Sequence, residues 1–239
     1  MSRRIDSAAL LVRHVPYGES DVIATFFTRE CGKMGAIVRG ARRSTKRFGG
    51  ALEPLHELAI TLEDKGKELC VLKEARIERP RAGIATSLES MEAAGQALRW
   101  LRHLCPTRTP ELAVWTSASE LLDALDAEGA HGDALAKAFL ASFGLRLLAD
   151  MGYALEFSSC IRCGRACPEG RSAFVDAARG GLVCTNCGGA RRTIGSELRS
   201  LAARAQRGEN VVLPAREARD LVDVVEEAMA AHTGFDPRA

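Results

Sequence analysis

Five of the chain's eight cysteines fall between Cys160 and Cys187, in the 28-residue stretch CIRCGRACPEGRSAFVDAARGGLVCTNC. Cys160 with Cys163, and Cys184 with Cys187, form two CxxC pairs separated by twenty residues. C-x2-C-x20-C-x2-C is the spacing of a structural zinc site. A tight CxxC turn directs two thiolates at one point, and two such knuckles complete a tetrahedron around one ion. Gly164 follows the first knuckle and Gly188-Gly189 the second, where turning backbone uses the freedom of glycine. Between them SAFVDAARGGLVC reads as strand, Arg-Gly-Gly turn and strand, so the segment is expected to be a zinc ribbon. A thioredoxin-like redox site needs only one CxxC. A catalytic zinc keeps an open position and usually recruits His or a carboxylate, yet no histidine lies between His131 and His232. The H-x-E and P-C-x-x-C of a nucleobase deaminase are absent as well. Cys167 is a spare thiol that could replace Cys163, but Cys160 and Cys163 already make the knuckle. A ribbon of about thirty residues buries too little surface to stand alone, so its metal is expected to be a structural staple.

The second chemically distinctive stretch is RGARRSTKRFGG, Arg39 to Gly50. Arg39, Arg42, Arg43, Lys46 and Arg47 crowd a segment with no acid from Ala36 to Leu52. Charge runs are usually solvated loops. At the mouth of a small barrel, the same groups would follow a sugar-phosphate backbone without reading bases. Phe48 is a candidate for stacking on a base. Glu19 and Asp21, two apart in YGESD, could in principle seat a metal, although a turn with solvated carboxylates is the simpler reading.

These side chains need elements to hold them. In the first eighty residues, DSAALLVRHV, DVIATFFTRE, GAIVRGA, HELAITLED and ELCVLKEARIE are short apolar stretches of strand character, with DKGK as a hairpin loop. Five strands suggest a small barrel or sandwich. An OB-fold is one candidate, and other small barrels fit the pattern equally. From Thr86 the period becomes helical. Thr86 with Glu89 reads as a capping box, Thr109 with Pro110 opens a second helix that Gly129 should stop, and Asp133 caps a third that Gly152 ends. SELRSLAARAQRG and PAREARDLVDVVEEAMAAH follow the cysteines as further helices, so the ribbon interrupts a helical region. Trp100, Trp115 and the phenylalanines fit a core, and lone Cys31, Cys70 and Cys105 fit small buried hydrophobes.

The 239 residues suit one or two domains. A net charge of +2 puts the weight on where charge lies rather than on how much there is. No apolar run could span a bilayer, and MSRRIDSAALLVRHVP lacks an apolar signal core, so an intracellular protein is expected. Neither GxxxxGK[ST], HExxH, GxSxG nor GxGxxG occurs, and the five histidines are scattered, so no enzyme is expected.

Taken in order, YGESD, FFTRECGKMGAIVRGARRS, FGGALEPL, LRLLADMGY and CIRCG…GGLVCTNC resemble the RecO family of bacterial recombination mediators over nearly the whole chain. The resemblance implies an α+β multidomain protein. Its parts would be an OB-fold barrel at 1–80, a helical domain at 81–155 resumed at 191–239, and an inserted ribbon at 156–190. It implies one structural Zn2+ on Cys160, Cys163, Cys184 and Cys187, and DNA contacts from Arg39, Arg42, Arg43, Lys46 and Arg47. It further implies binding of single- and double-stranded DNA and ATP-independent annealing. Partners would be RecR, the C-terminal tail of single-stranded-DNA-binding protein (SSB) and, indirectly, RecA, in the cytoplasm at the nucleoid. The competing reading is a zinc-ribbon adaptor that binds protein and not DNA. A zinc-dependent nucleic-acid enzyme is disfavoured by four thiolate ligands.

Overall fold

The computed structural model describes residues 2–43, 48, 50–131 and 135–236. The chain divides into two compact units, Met1–His131 and Gly132–Ala239.

The first unit is built on a closed five-stranded barrel of order β1-β2-β3-β5-β4. Its strands are β1 (Arg3–Tyr17), β2 (Asp21–Thr28), β3 (Gly32–Val38), β4 (Glu57–Asp64) and β5 (Cys70–Arg79). All five expected strands are present, and the order is OB-like. The 15-residue β1 serves two neighbours, pairing with β4 along Arg3–Leu10 and with β2 along Ala9–Tyr17. The register to β2 slips between Leu11 and Arg13; such a bulge bends a strand so that one strand can serve both sides of a barrel. Parallel pairing of Ala36 with Cys70 and Ile37 with Val71 completes the closure. Alternate residues such as Ala24, Phe26, Met34, Ala36, Leu58 and Ile60 point inward and form the core. Phe48 joins that core at 5% exposure, with Ala51 beside it. The expected base-stacking role of Phe48 is therefore replaced by a structural one.

Two helices complete this unit, α1 (Leu88–Leu104) and α2 (Leu112–His131). Ser87, not Thr86, caps α1, accepting from the Ser90 N–H at 3.0 Å. The Thr86 hydroxyl lies instead 2.7 Å from both Gly83 O and Gly129 O. Helix α2 begins later than the Thr109-Pro110 signal implies, because the preceding residues lie against the barrel. There the Arg108 guanidinium reaches Asp64 at 2.6 Å and Lys67 O at 2.8 Å. Chain leaving β5 is fixed on α2 by Arg81, only 1% exposed, whose guanidinium donates to Asp123 at 2.8 Å and to Leu55 O at 3.2 Å.

Gly129 does not stop α2, which continues to His131. Its role is close approach: a Cβ there would sit 2.2 Å from Gly83 O, and one on Gly83 would sit 2.2 Å from Asp126 O. Backbone is met on both sides, so no side chain can turn away. Gly129→Ala is expected to destabilise the first unit by about 1–3 kcal/mol, the usual cost of overpacking. That is a loss of several degrees in a thermal melt. An unchanged melting temperature would refute the close-approach account.

The second unit contains α3 (Ala136–Asp150), α4 (Ser196–Gln206) and α5 (Ala215–Thr233). Buried Leu140, Phe143 and Leu147 give α3 the apolar surface that packs against α4 and α5. Gly152 ends α3 at φ +84°, as expected, while Asp133, expected to cap it, lies outside the described residues. Between α3 and α4 the chain forms a four-stranded sheet of order β6-β8-β7-β9. These strands are β6 (Glu156–Cys160), β7 (Ala173–Asp176), β8 (Gly181–Val183) and β9 (Arg192–Ile194). The strand–turn–strand between the knuckles is β7 and β8; the flanking strands β6 and β9 extend it on both sides.

Candidate nucleic-acid interface and metal centre

The basic loop leaves β3 at Val38 and is stitched to the β1–β2 turn. Asp21 accepts from the Gly40 N–H at 2.8 Å, and the Arg42 N–H donates to Ser20 O at 3.0 Å. The Arg42 guanidinium lies 3.3 Å from Gly18 O and 3.5 Å from Glu19 O. Arg43 lies 3.6 Å from the Glu19 carboxylate, which is 93% exposed. Such a water-facing pair contributes little and can exchange for another anion. Arg39, Arg42 and Arg43 are all exposed. Lys46 and Arg47 lie outside the described residues.

Asp21 is the residue that sequence reasoning undervalued. It is half-buried, and the Gly40 N–H leads the contacts that hold its carboxyl below the usual range; Ser20, Arg39 and Arg43 add to the effect. It is half-buried rather than solvated, and it anchors the basic loop. The available signal was an Asp at the start of a strand, a residue type that commonly bonds nearby backbone N–H groups. Its partner lies nineteen positions away, which local sequence does not reveal.

In the second unit the ligand atoms of Cys160, Cys163, Cys184 and Cys187 all lie within 4.8 Å of one another. The Cys163 and Cys184 sulfurs are 3.7 Å apart. Four thiolates about 2.3 Å from one tetrahedral ion would be spaced by about 3.8 Å. The geometry therefore fits a single four-coordinate ion, and these cysteines could hold one. Each knuckle is closed by backbone bonds from its glycines: Gly164 N–H donates to Cys160 O at 2.8 Å, and Gly189 N–H to Cys184 O at 3.1 Å. Arg162 ties the two by donating to Cys187 O at 2.8 Å.

The Cys184 N–H points at the Cys160 sulfur at 3.3 Å. That contact and the Cys163 N–H are the chief reasons the Cys160 thiol is pulled down to about 6. The Cys187 thiol is pushed up to about 12, chiefly by hydrogen bonds with the Cys184 and then the Cys163 sulfur. Cys167 stands outside the cluster; its N–H donates to Ser158 O at 2.8 Å. Among the described residues this is the one convergent group of three or more metal-ligating side chains.

The ribbon is tied to α4 by Arg199, 7% exposed, which donates to Phe157 O at 3.0 Å and Pro168 O at 2.8 Å. Arg192 faces Asp220, Asp223 and Glu227 of α5 at 3.9–4.0 Å. The partners of neither arginine were legible in the sequence, because both sets are distant in the chain. Buried Cys105 has its thiol pushed up to about 12 by desolvation, which makes it inert. No helix among the described residues is long and apolar enough to cross a membrane.

Two family models match this arrangement end to end. Residues 1–81 match the recombination protein O N-terminal domain and residues 86–239 the C-terminal domain. The chain belongs to the RecO family. Among its relatives, a DNA repair protein RecO of Anaeromyxobacter sp. (strain Fw109-5) is 33% identical, covering 98% of this chain and 93% of its own. The RecO of Myxococcus xanthus (strain DK1622) is 35% identical over 77% of this chain and 73% of its own. That of Geobacter metallireducens (strain ATCC 53774 / DSM 7210 / GS-15) is 30% identical over 94% and 90%. The break between the two RecO models, at residues 82–85, falls on the short turn of Gly83–Thr86 that follows the barrel.

Proposed function

We propose that this protein is a recombination mediator of DNA repair that acts by binding and not by catalysis. It would hold single- and double-stranded DNA through Arg39, Arg42 and Arg43, together with Lys46 and Arg47, and anneal complementary strands without ATP. The observation that carries this reading is the anchoring of the basic loop through Asp21 and backbone groups, with three arginines exposed at one rim of an OB-like barrel.

Annealing requires two polyanions to approach. A protein that touches phosphates lowers their repulsion and leaves the base edges open to a complement. Arginine suits this task because it stays charged and forks onto phosphate oxygens. We infer that Cys160, Cys163, Cys184 and Cys187 hold one Zn2+. Four sulfur donors leave no open position, so the ion would stabilise the ribbon and supply no reactive water. Family membership supports the partners: RecR, the C-terminal tail of SSB, and RecA loaded onto SSB-coated DNA, in the cytoplasm at the nucleoid.

The test is a salt titration of binding to a labelled single strand, followed by addition of its complement without nucleotide. Five phosphate contacts give log K a slope near −3.5 against log salt. A steep slope with ATP-free annealing is expected; absence of binding at low salt would refute the reading.

A further inference from the structure

We propose that Tyr17 is a stacking platform for a base of the bound strand, placed beside the phosphate contacts of the basic loop. This rests on the DNA-binding reading above and names a residue for it.

Tyr17 is the last residue of β1 and is 54% exposed. The chain has only two tyrosines. The other, Tyr153, has its ring stacked on His232 at 6.0 Å. One exposed side chain by itself signals nothing; a partner is implied here by its neighbours. The partner's chemistry is indicated by what surrounds Tyr17 in the fold. Tyr17 pairs with Asp21, whose carboxylate anchors Gly40 of the basic loop. The next residue, Gly18, offers its carbonyl to the Arg42 guanidinium at 3.3 Å. One exposed aromatic and three exposed arginines thus share a single rim, held by the same turn. An apolar protein segment would gain little from arginines there, whereas a single strand offers both a phosphate and a base face. Buried Phe48 leaves the aromatic half of that pairing to Tyr17.

Stacking also suits annealing. A ring takes the face of a base and leaves its hydrogen-bonding edge open to the complementary strand, and every base has such a face, so no sequence is preferred. A hydrogen-bonding side chain on the base edge would compete with the complement.

The experiment compares the wild-type protein with Tyr17→Ala and Tyr17→Phe on two fluorescent probes, oligo(dT) and a base-free deoxyribose-phosphate strand of equal length. Tyr17→Ala is expected to weaken oligo(dT) binding by about five- to 150-fold. It should leave base-free binding and the salt slope unchanged, and Tyr17→Phe should bind as wild type. Equal affinity of Tyr17→Ala and wild type for oligo(dT) overturns the proposal. So does an equal loss on both probes, which would make Tyr17 a support for the loop. Failure of wild type to bind either probe at low salt is a different result: it removes the DNA-binding reading itself and this inference with it.

Discussion

Cys184→Ser is expected to abolish metal binding at the proposed four-thiolate site and, with it, the order of residues 156–194. The ribbon strands are three to five residues long and the sheet they form is small. Burial on that scale does not offset the entropy of ordering such a segment. A four-thiolate ion contributes on the order of 10 kcal/mol or more in isolated zinc peptides, enough to decide whether the fold forms. A serine hydroxyl is a poor substitute for a thiolate, and the three remaining sulfurs would be left crowded without a full tetrahedron. The damage should spread along a defined route. Arg199 of α4 donates from its two terminal guanidinium nitrogens to the carbonyls of Phe157, Cys167 and Pro168. When the ribbon melts, that buried charge loses its acceptors, which is costly, and the first turns of α4 should open with it. The measurements are metal content by elemental analysis and amide exchange by peptide. Metal should fall from one per chain to a trace, with protection lost over 156–194 and the start of α4, and retained in the barrel. A metal-free Cys184→Ser protein with full protection in the ribbon would refute the staple.

What was legible in the sequence depended on whether the partner of a residue was local. The convergence of Cys160, Cys163, Cys184 and Cys187 could be read because CxxC spacing is itself the geometry of a knuckle, and two knuckles leave few other uses for four thiols. The five strands could be read from alternation, since each strand shows its inward face on its own. Barrel closure could not, because pairing Ala36 with Cys70 joins strands far apart in the chain. Thr86 read as the cap, but its hydroxyl is engaged by the Gly83 and Gly129 carbonyls and Ser87 caps α1 instead. Gly129 carries the composition of a helix stop, while its cause is a backbone that passes beside it. Phe48 sits among basic residues and looked exposed, yet a barrel needs its interior filled and Phe48 with Ala51 supplies that apolar volume. The role of Asp21 was misread because its partner lies in the loop that follows β3, not in the turn beside it.

Reversing Arg39, Arg42 and Arg43 to Glu together is expected to abolish DNA binding at moderate salt. Each phosphate contact to a single strand contributes about 0.7 to the salt slope. Losing three flattens the slope from about −3.5 to about −1.4, and at 0.1 M salt lowers affinity by about 100-fold before the repulsion of three new carboxylates is added. Metal content should not change, because the ribbon belongs to the other compact unit. Loss of charge alone would give part of this result, so a second variant separates charge from position. Asp21→Ala removes a negative charge beside the loop, and simple charge counting then predicts tighter binding. Asp21 also holds the Gly40 N–H at 2.8 Å, and without it the loop loses the contact that fixes where Arg39 and Arg43 stand. If positioning governs, Asp21→Ala binds several-fold more weakly although its net charge is higher. Tighter binding by Asp21→Ala would show that the loop acts as a diffuse cloud of charge, and unchanged affinity of the triple reversal would remove the loop from the interface.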